Sequence, residues 1–558
     1  MPAHEVELNL WAFLSRESAV PLHRVLGGAA VSGLANALLL VVINSAANAG
    51  PQEGGPSTQS MLLFLIAILL YTITQRYILR VSTTEIEKIV AKVRVNLADK
   101  IRRADLYAIE SLGRSEIFGS LNTHTQTLSQ TTAPIIMACQ GALLVLFSAI
   151  YIFMLSKAAF FLTVTIVAIG IALHMRRKKQ VKLEMKQSTE KENQLFTAFT
   201  HLLDGFKEVK ISAARSEDLY GELKSIALES AAFKTTSAIR NADLHIFTQV
   251  LFYLLLGVIV FILPGLSDVY ATQVTRISAA ILFIIGPLSI IVGVFPMVRR
   301  ANHAVLQIFD LEAQLDRAQP QEPEPAGRAT APAPFGCIEL AGVTFSYAGR
   351  EGRPTFALAP VNLTIRHGET VFIVGGNGSG KSTLLKVLTG LYHPTAGTIS
   401  IDGVPLSVYG YTAYRGLFAA IFSDYHLFDR LYGIPNVDDE EVRRQLVEME
   451  LNRKTSWQEG RFVNQDLSTG QRKRLALVVS RLEKKPVQLF DEWAADQDPH
   501  FRQHFYNDIL ADMKAAGKTI IAATHDDRYF DVADRVIKLD EGRIVSNSEG
   551  HDSRENSR

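Results

Sequence analysis

Six stretches of this chain are long and apolar enough to cross a lipid bilayer: 25–46, 60–79, 134–154, 158–175, 245–263 and 278–298. A helical span needs roughly 20 mostly apolar residues. Inside hydrocarbon, unpaired backbone N–H and C=O groups find no water, so lipid-facing segments must be helices or closed barrels. Runs of this length predict six helices; 158–175 is the shortest. The last third of the chain differs: it reads as a soluble α/β domain, and the full 558 residues exceed one ordinary domain. The formal net charge of +1 gives no global electrostatic case for a nucleic-acid partner, and none is expected. The two cysteines, Cys139 and Cys337, are too few for a disulfide framework or a zinc site. Acidic residues and no basic run precede the first apolar stretch, so no cleavable signal peptide is expected.

The connections alternate in charge. The loops 48–59 and 265–273 contain no Lys or Arg, whereas the connection after the second stretch carries Arg80, Lys88, Lys92, Arg94, Lys100, Arg102, Arg103 and Arg114. The connection after the fourth begins with Arg176, Arg177, Lys178 and Lys179, and Arg299 and Arg300 follow the sixth. The positive-inside rule places these basic connections, and both termini, in the cytoplasm. Apolar residues at helical spacing in 85–106 and 195–211 extend the spans into long cytoplasmic helices. Their turns, near 107–112 and 213–218, are candidate contacts for the soluble domain; the alternative is a solvated hairpin. Polar residues within the spans are few: Asn36, Asn44, Gln140 and Gln249. Such groups face a bundle interior, where they bond neighbouring helices or touch a substrate.

Prolines at 320, 323, 325, 332 and 334 mark an extended linker, giving expected divisions at 1–317 (membrane), 318–335 (linker), 336–548 (nucleotide domain) and 549–558 (polar tail). In the nucleotide domain, Gly375-Gly376-Asn377-Gly378-Ser379-Gly380-Lys381-Ser382, followed by Thr383, spells G-x-x-x-x-G-K-S between an apolar strand and a helix. That is a P-loop: its glycines let backbone N–H groups turn toward phosphate, and the helix adds its positive end. Lys381 is placed to reach the β- and γ-phosphates of ATP, and Ser382 to hold Mg²⁺. Downstream, an apolar strand ends in Asp491 and Glu492, which predicts a metal-supporting carboxylate and a general base. Another ends in His525, a candidate γ-phosphate sensor.

The segment Leu467-Ser468-Thr469-Gly470-Gln471 resembles the L-S-G-G-Q signature of ATP-binding cassette (ABC) proteins, with Thr469 in place of a glycine. With it, nearly the whole chain resembles an ABC exporter half-transporter. The resemblance implies a membrane α-helical bundle of six transmembrane helices fused to a cytoplasmic α/β P-loop ABC ATPase domain. It implies that Ser468, Gly470 and Gln471 contact ATP held by the P-loop of a second copy, so that the protein works as a homodimer in a lipid bilayer. It also implies that Tyr347 stacks on adenine, that His525 is the switch histidine and that Asp498 lies at the dimer seam.

Two features depart from that family. Ser423 stands where a glutamine usually helps hold Mg²⁺, which leaves a shorter reach to metal. The interval from Ser423 to Leu467 is also short for a helical subdomain. The segments 422–428, 491–499 and 525–530 resemble the bacterial cyclic-peptide exporter branch, which includes exporters of lipopeptides, microcin-like peptides and siderophore precursors. This implies ATP-driven export of a peptide-like substrate across the bacterial inner membrane. A lipid or drug exporter, and a membrane-anchored regulatory ATPase that transports nothing, remain alternatives.

Overall fold

The computed structural model describes residues 5–17, 22–47, 58–266, 273–319, 335–347, 356–406, 410–434 and 437–549. Most of the expected linker, the end of the polar tail and parts of the two uncharged loops lie outside these residues. The chain divides into two units, 1–98 with 115–312 and 99–114 with 313–558.

The first unit is helical. Its main helices are Leu22–Ala47, Thr58–Arg103 as far as residue 98, Thr125–Leu155, Lys157–Asp204, Ala213–Gly257 and Val274–Arg317 as far as residue 312. Serines start two of them: Ser156 Oγ accepts from Ala159 N at 3.2 Å and Ser212 Oγ from Arg215 N at 3.3 Å. Small residues bring helices together. A Cβ on Gly33 would sit 3.0 Å from Leu143 Cβ, and one on Gly141 would sit 3.3 Å from Pro287 O. Leu40, Ile152, Phe252, Leu255, Ile281 and Ile284 fill the space between.

The opposite faces are apolar and bare. Met61, Leu62, Leu65, Leu69 and Ile73 are each at least half exposed on one helix. Such a surface requires a non-aqueous solvent. Among the described residues, four helices carry a full-length apolar window: Gly27–Ala46, Thr58–Arg103, Glu116–Leu155 and Val274–Arg317. The stretches expected at 158–175 and 245–263 are helical, and among the described residues they are apolar over Lys157–Gly170 and Gln249–Ile262. Asn44 is buried, and its amide donates to Tyr151 Oη at 3.1 Å and Arg276 O at 2.9 Å, so it ties helices together rather than lying among headgroups.

The second unit holds two main sheets. Strands β1 (Cys337–Ser346), β2 (Ala357–Arg366), β4 (Ala396–Ile401) and β5 (Val404–Pro405) form an antiparallel sheet in the order β2-β1-β4-β5. The other sheet adds β3 (Thr370–Val374), β6 (Phe418–Ile421), β9 (Val487–Asp491), β10 (Thr519–Ala523), β11 (Arg535–Asp540) and β12 (Arg543–Glu549), in the order β12-β11-β3-β10-β9-β6. A hairpin of β7 (Trp457–Gln458) and β8 (Arg461–Phe462) stands apart from both sheets. Strands β3, β9 and β10 are buried throughout and run parallel, as near-continuous apolar runs covered on both faces should. Their carboxyl ends therefore open on one edge, where ligands of such sheets bind.

Residues 99–114 pack with this unit. The short helix Leu106–Leu112 sets Tyr107 edge-on to Phe345, Tyr347 and Tyr392. Glu110 takes Lys386 Nζ at 2.9 Å and the Tyr392 hydroxyl, and His393 Nε2 lies 3.1 Å from Asp105 Oδ1. The turn expected near 107–112 is therefore a docked element rather than a solvated hairpin.

Candidate nucleotide site

The P-loop leaves β3 and enters the helix Lys381–Leu388. Two of its glycines are required by geometry. Gly375 has φ 154°, and a Cβ there would meet Leu539 O at 2.2 Å; Gly380 has φ 101°, and a Cβ would meet Phe356 Cζ at 2.6 Å. The loop forms one side of a cavity of about 390 Å³ lined by Tyr347, Phe356, Asn377, Gly378, Ser379, Gly380, Lys381, Ser382, Thr383 and Glu492. Tyr347 is fixed within it by a 3.1 Å hydrogen bond between its hydroxyl and Thr383 Oγ1. Lys381 is buried; its Nζ donates to Gly375 O at 3.0 Å and Gly376 O at 3.1 Å, and lies 3.4 Å from Glu492 Oε1. A lysine held by loop carbonyls stands ready to exchange them for phosphate oxygens.

Asp491 ends β9 almost fully buried. Burial pushes its carboxyl above the usual range, while the Ser382 and Ser423 hydroxyls and the Ser423 N–H lie near enough to pull it partly back. Neither carboxylate oxygen has a hydrogen-bond partner in good geometry. Two orphaned, buried carboxylate oxygens beside a P-loop serine fit a divalent cation, the partner that would satisfy them. Glu492 follows in the left-handed region, φ 50°, with its N–H bonded to Ala523 O at 3.0 Å. That turn aims its side chain into the cavity. His525 is exposed just beyond β10, one residue after Thr524, whose N–H bonds Ile373 O at 3.0 Å.

The signature residues are elsewhere. None of Ser468, Gly470 and Gln471 lines the cavity. Ser468 caps the helix Thr469–Leu482 with a full capping box, its Oγ accepting from Gln471 N and its N–H bonding Gln471 Oε1. Ser468 and Thr469 are exposed at this helix start. Gly470 has a local reason to lack a side chain, since a Cβ would lie 2.7 Å from Asp496 O. Arg474, one turn on, donates to Gln497 Oε1 at 2.9 Å and Asp498 Oδ2 at 2.6 Å, and lies 3.6 Å over the Phe501 ring. Of the two stretches that the sequence marked as phosphate contacts, the P-loop lines the cavity and the signature does not. The sequence placed Tyr107 and Glu110 only within the candidate contact turn 107–112, and gave Lys473 no role. Lys473 left one readable signal, as a lysine on the apolar face of a helix whose Ala476, Leu477 and Ser480 are buried.

Residues 358–495 match the ABC transporter domain model. The chain is 34% identical over 474 residues to "ATP-binding protein SyrD" of Pseudomonas syringae pv. syringae, covering 82% of this chain and 83% of that protein. It is 28% identical over 438 residues to the "ATP-dependent lipid A-core flippase" of Burkholderia thailandensis, covering 75% and 71%. Its fold matches the structure of a bacterial Atm1-family ABC exporter with ATP bound, at a TM-score of 0.74 and 20% identity over 96% of this chain and 97% of that one. The chain belongs to the ABC transporter family, with the architecture of an exporter half-transporter: one helical bundle and one ATPase domain in a single polypeptide. It is an ATP-driven membrane exporter whose ATPase domain hydrolyses ATP in the service of transport.

Proposed function

We propose that this chain exports a peptide-like molecule, a cyclic peptide, lipopeptide, microcin or siderophore precursor, across the bacterial inner membrane. The observation that carries this reading is the resemblance of 422–428, 491–499 and 525–530 to the cyclic-peptide branch. The 34% identity to the SyrD protein exceeds the 28% to the lipid A-core flippase and extends over more of the chain. In this reading 1–317 form the membrane domain, 318–335 a linker and 336–548 the nucleotide domain, with both termini cytoplasmic.

The working unit is a homodimer. The cavity at the P-loop holds no signature residue, while the signature helix presents its capped start to solvent. A second copy completes both sites, with Ser468, Gly470 and Gln471 of each facing the P-loop of the other. Tyr347 stacks on adenine, the backbone N–H groups of 376–383 cradle the phosphates and Lys381 bridges the β- and γ-phosphates. Ser382 and Asp491, with Ser423 beside them, would hold Mg²⁺, which would supply neutralisation of phosphate charge. Glu492 takes a proton from the attacking water as its oxygen bonds to the γ-phosphorus and the bond to the β-phosphate oxygen breaks. His525 senses the γ-phosphate. Binding draws the ATPase domains together and turns the bundle outward; hydrolysis resets it.

Purified protein in inverted vesicles should accumulate a fluorescent cyclic lipopeptide when ATP is supplied. The flippase relatives favour a second reading, in which a lipid A-type glycolipid is carried instead. Accumulation of the glycolipid and not the lipopeptide would establish that reading.

A further inference from the structure

We infer that Lys473, on the signature helix, is the positioning residue that fixes the catalytic strand end at Glu492. Lys473 is buried, and its Nζ donates to the backbone carbonyl of Glu492 at 2.7 Å and pairs with Asp496 Oδ2 at 2.7 Å. The tie is reciprocal: the indole N–H of Trp493, the residue after Glu492, donates to Lys473 O at 2.9 Å. Trp493 is itself sealed in the core, stacked on Phe505 with ring centroids 4.2 Å apart.

Glu492 needs such a hold. A glutamate at φ 50° occupies a sparsely populated conformation that persists only where its surroundings over-determine it. Its N–H is fixed by Ala523 O and its C=O by Lys473 Nζ, so both flanking peptide groups are anchored and the side chain is aimed into the cavity. A lysine costs free energy to bury unless it is paired and hydrogen-bonded. Here a carbonyl and a carboxylate share that role, and Asp496 reaches it from a half-exposed position. Lys473 lines no part of the cavity, so it acts on hydrolysis through Glu492 and not through ATP. Because it sits on the helix that begins with Ser468, the same clamp ties the signature end offered to one ATP to the base serving the other.

This inference rests on Glu492 being the base, and the experiment separates the two claims. Steady-state ATPase activity of the full transporter is measured for Lys473→Met, Lys473→Arg, Asp496→Asn, Glu492→Gln and the Lys473→Met/Glu492→Gln double variant. Misplacing a catalytic group by about 1 Å can cost on the order of 100-fold. Lys473→Met is therefore expected to lower kcat about 10- to 100-fold with the KM for ATP within about twofold of wild type. Lys473→Arg should recover part of the loss. The double variant should be no slower than Glu492→Gln alone, because the positioned group is already gone. Wild-type kcat in Lys473→Met, or an additive loss in the double variant, overturns the inference. If Lys473→Met does not fold, Asp496→Asn decides: a lowered kcat at unchanged KM supports the clamp, and an unchanged kcat overturns it. Wild-type hydrolysis in Glu492→Gln overturns the base assignment, and the inference with it.

Discussion

Two helices of the ATPase unit each bury a lysine that reaches Glu492, and they do so for opposite ends. Lys381, at the start of the P-loop helix, meets the Glu492 carboxylate from inside the cavity, where its other partners are loop carbonyls. Lys473, on the signature helix, meets the Glu492 backbone from behind, where its other partner is Asp496. The two are nearly equally buried, at 6% and 4% exposure, so burial does not tell them apart. What does is the neighbour on the far side. Lys381 faces a space that phosphate can enter, while Lys473 is closed in by the protein's own groups. A buried lysine reports a function only when its remaining direction is known.

The sharpest way to break this comparison is Lys381→Ala. It removes the cation from the cavity and should abolish both ATP binding and ATP-dependent export; unchanged affinity for a fluorescent ATP analogue would overturn the phosphate role. Glu492→Gln comes next. Loss of a general base lowers rates by about 10²–10⁴-fold, so hydrolysis should collapse while ATP still binds and the closed dimer accumulates on size-exclusion chromatography.

Asp491→Asn tests the metal role and has a sign of its own. Burial raises this carboxyl, so the folded chain keeps its proton to a higher pH than the unfolded chain does. Stability tied to this group is full below the unfolded value of 3.8 and falls as pH rises through the raised folded value. At neutral pH and without Mg-ATP the ionised group therefore works against the fold. Asp491→Asn should melt higher by about 2–4 °C for each 1 kcal/mol relieved, yet lose the further stabilisation that Mg-ATP gives the wild type. Equal melting temperatures for wild type and Asp491→Asn at neutral pH without Mg-ATP would contradict the raised pKa. The smallest effect belongs to Glu110→Gln. This partly exposed pair with Lys386 is worth at most about 1 kcal/mol, so calorimetry should show a shift of a few degrees or less.

Much of this was legible in the sequence because it is local. The P-loop, the Asp491-Glu492 strand end and His525 each announce themselves within a few residues, since strand, turn and ligand lie in one short stretch. The apolar runs announced the bundle for the same reason. Other features were not legible because they are joined only by the fold. Lys473 meets Glu492, and Tyr107 meets Tyr347, across separations that no motif spans. The signature's partner was legible only through resemblance to a family; the fold adds that Ser468, Gly470 and Gln471 do not line the P-loop cavity of their own chain.

The chain has three tryptophans, and one of them follows Glu492 directly. Trp493 is stacked on Phe505 and bonded to the helix that carries Lys473, so its indole sits in the clamp itself. Indole emission depends on stacking and on the hydrogen bond of its N–H. A shift of the turn at Glu492 would therefore change Trp493 emission, which stopped flow on addition of ATP would read without a label.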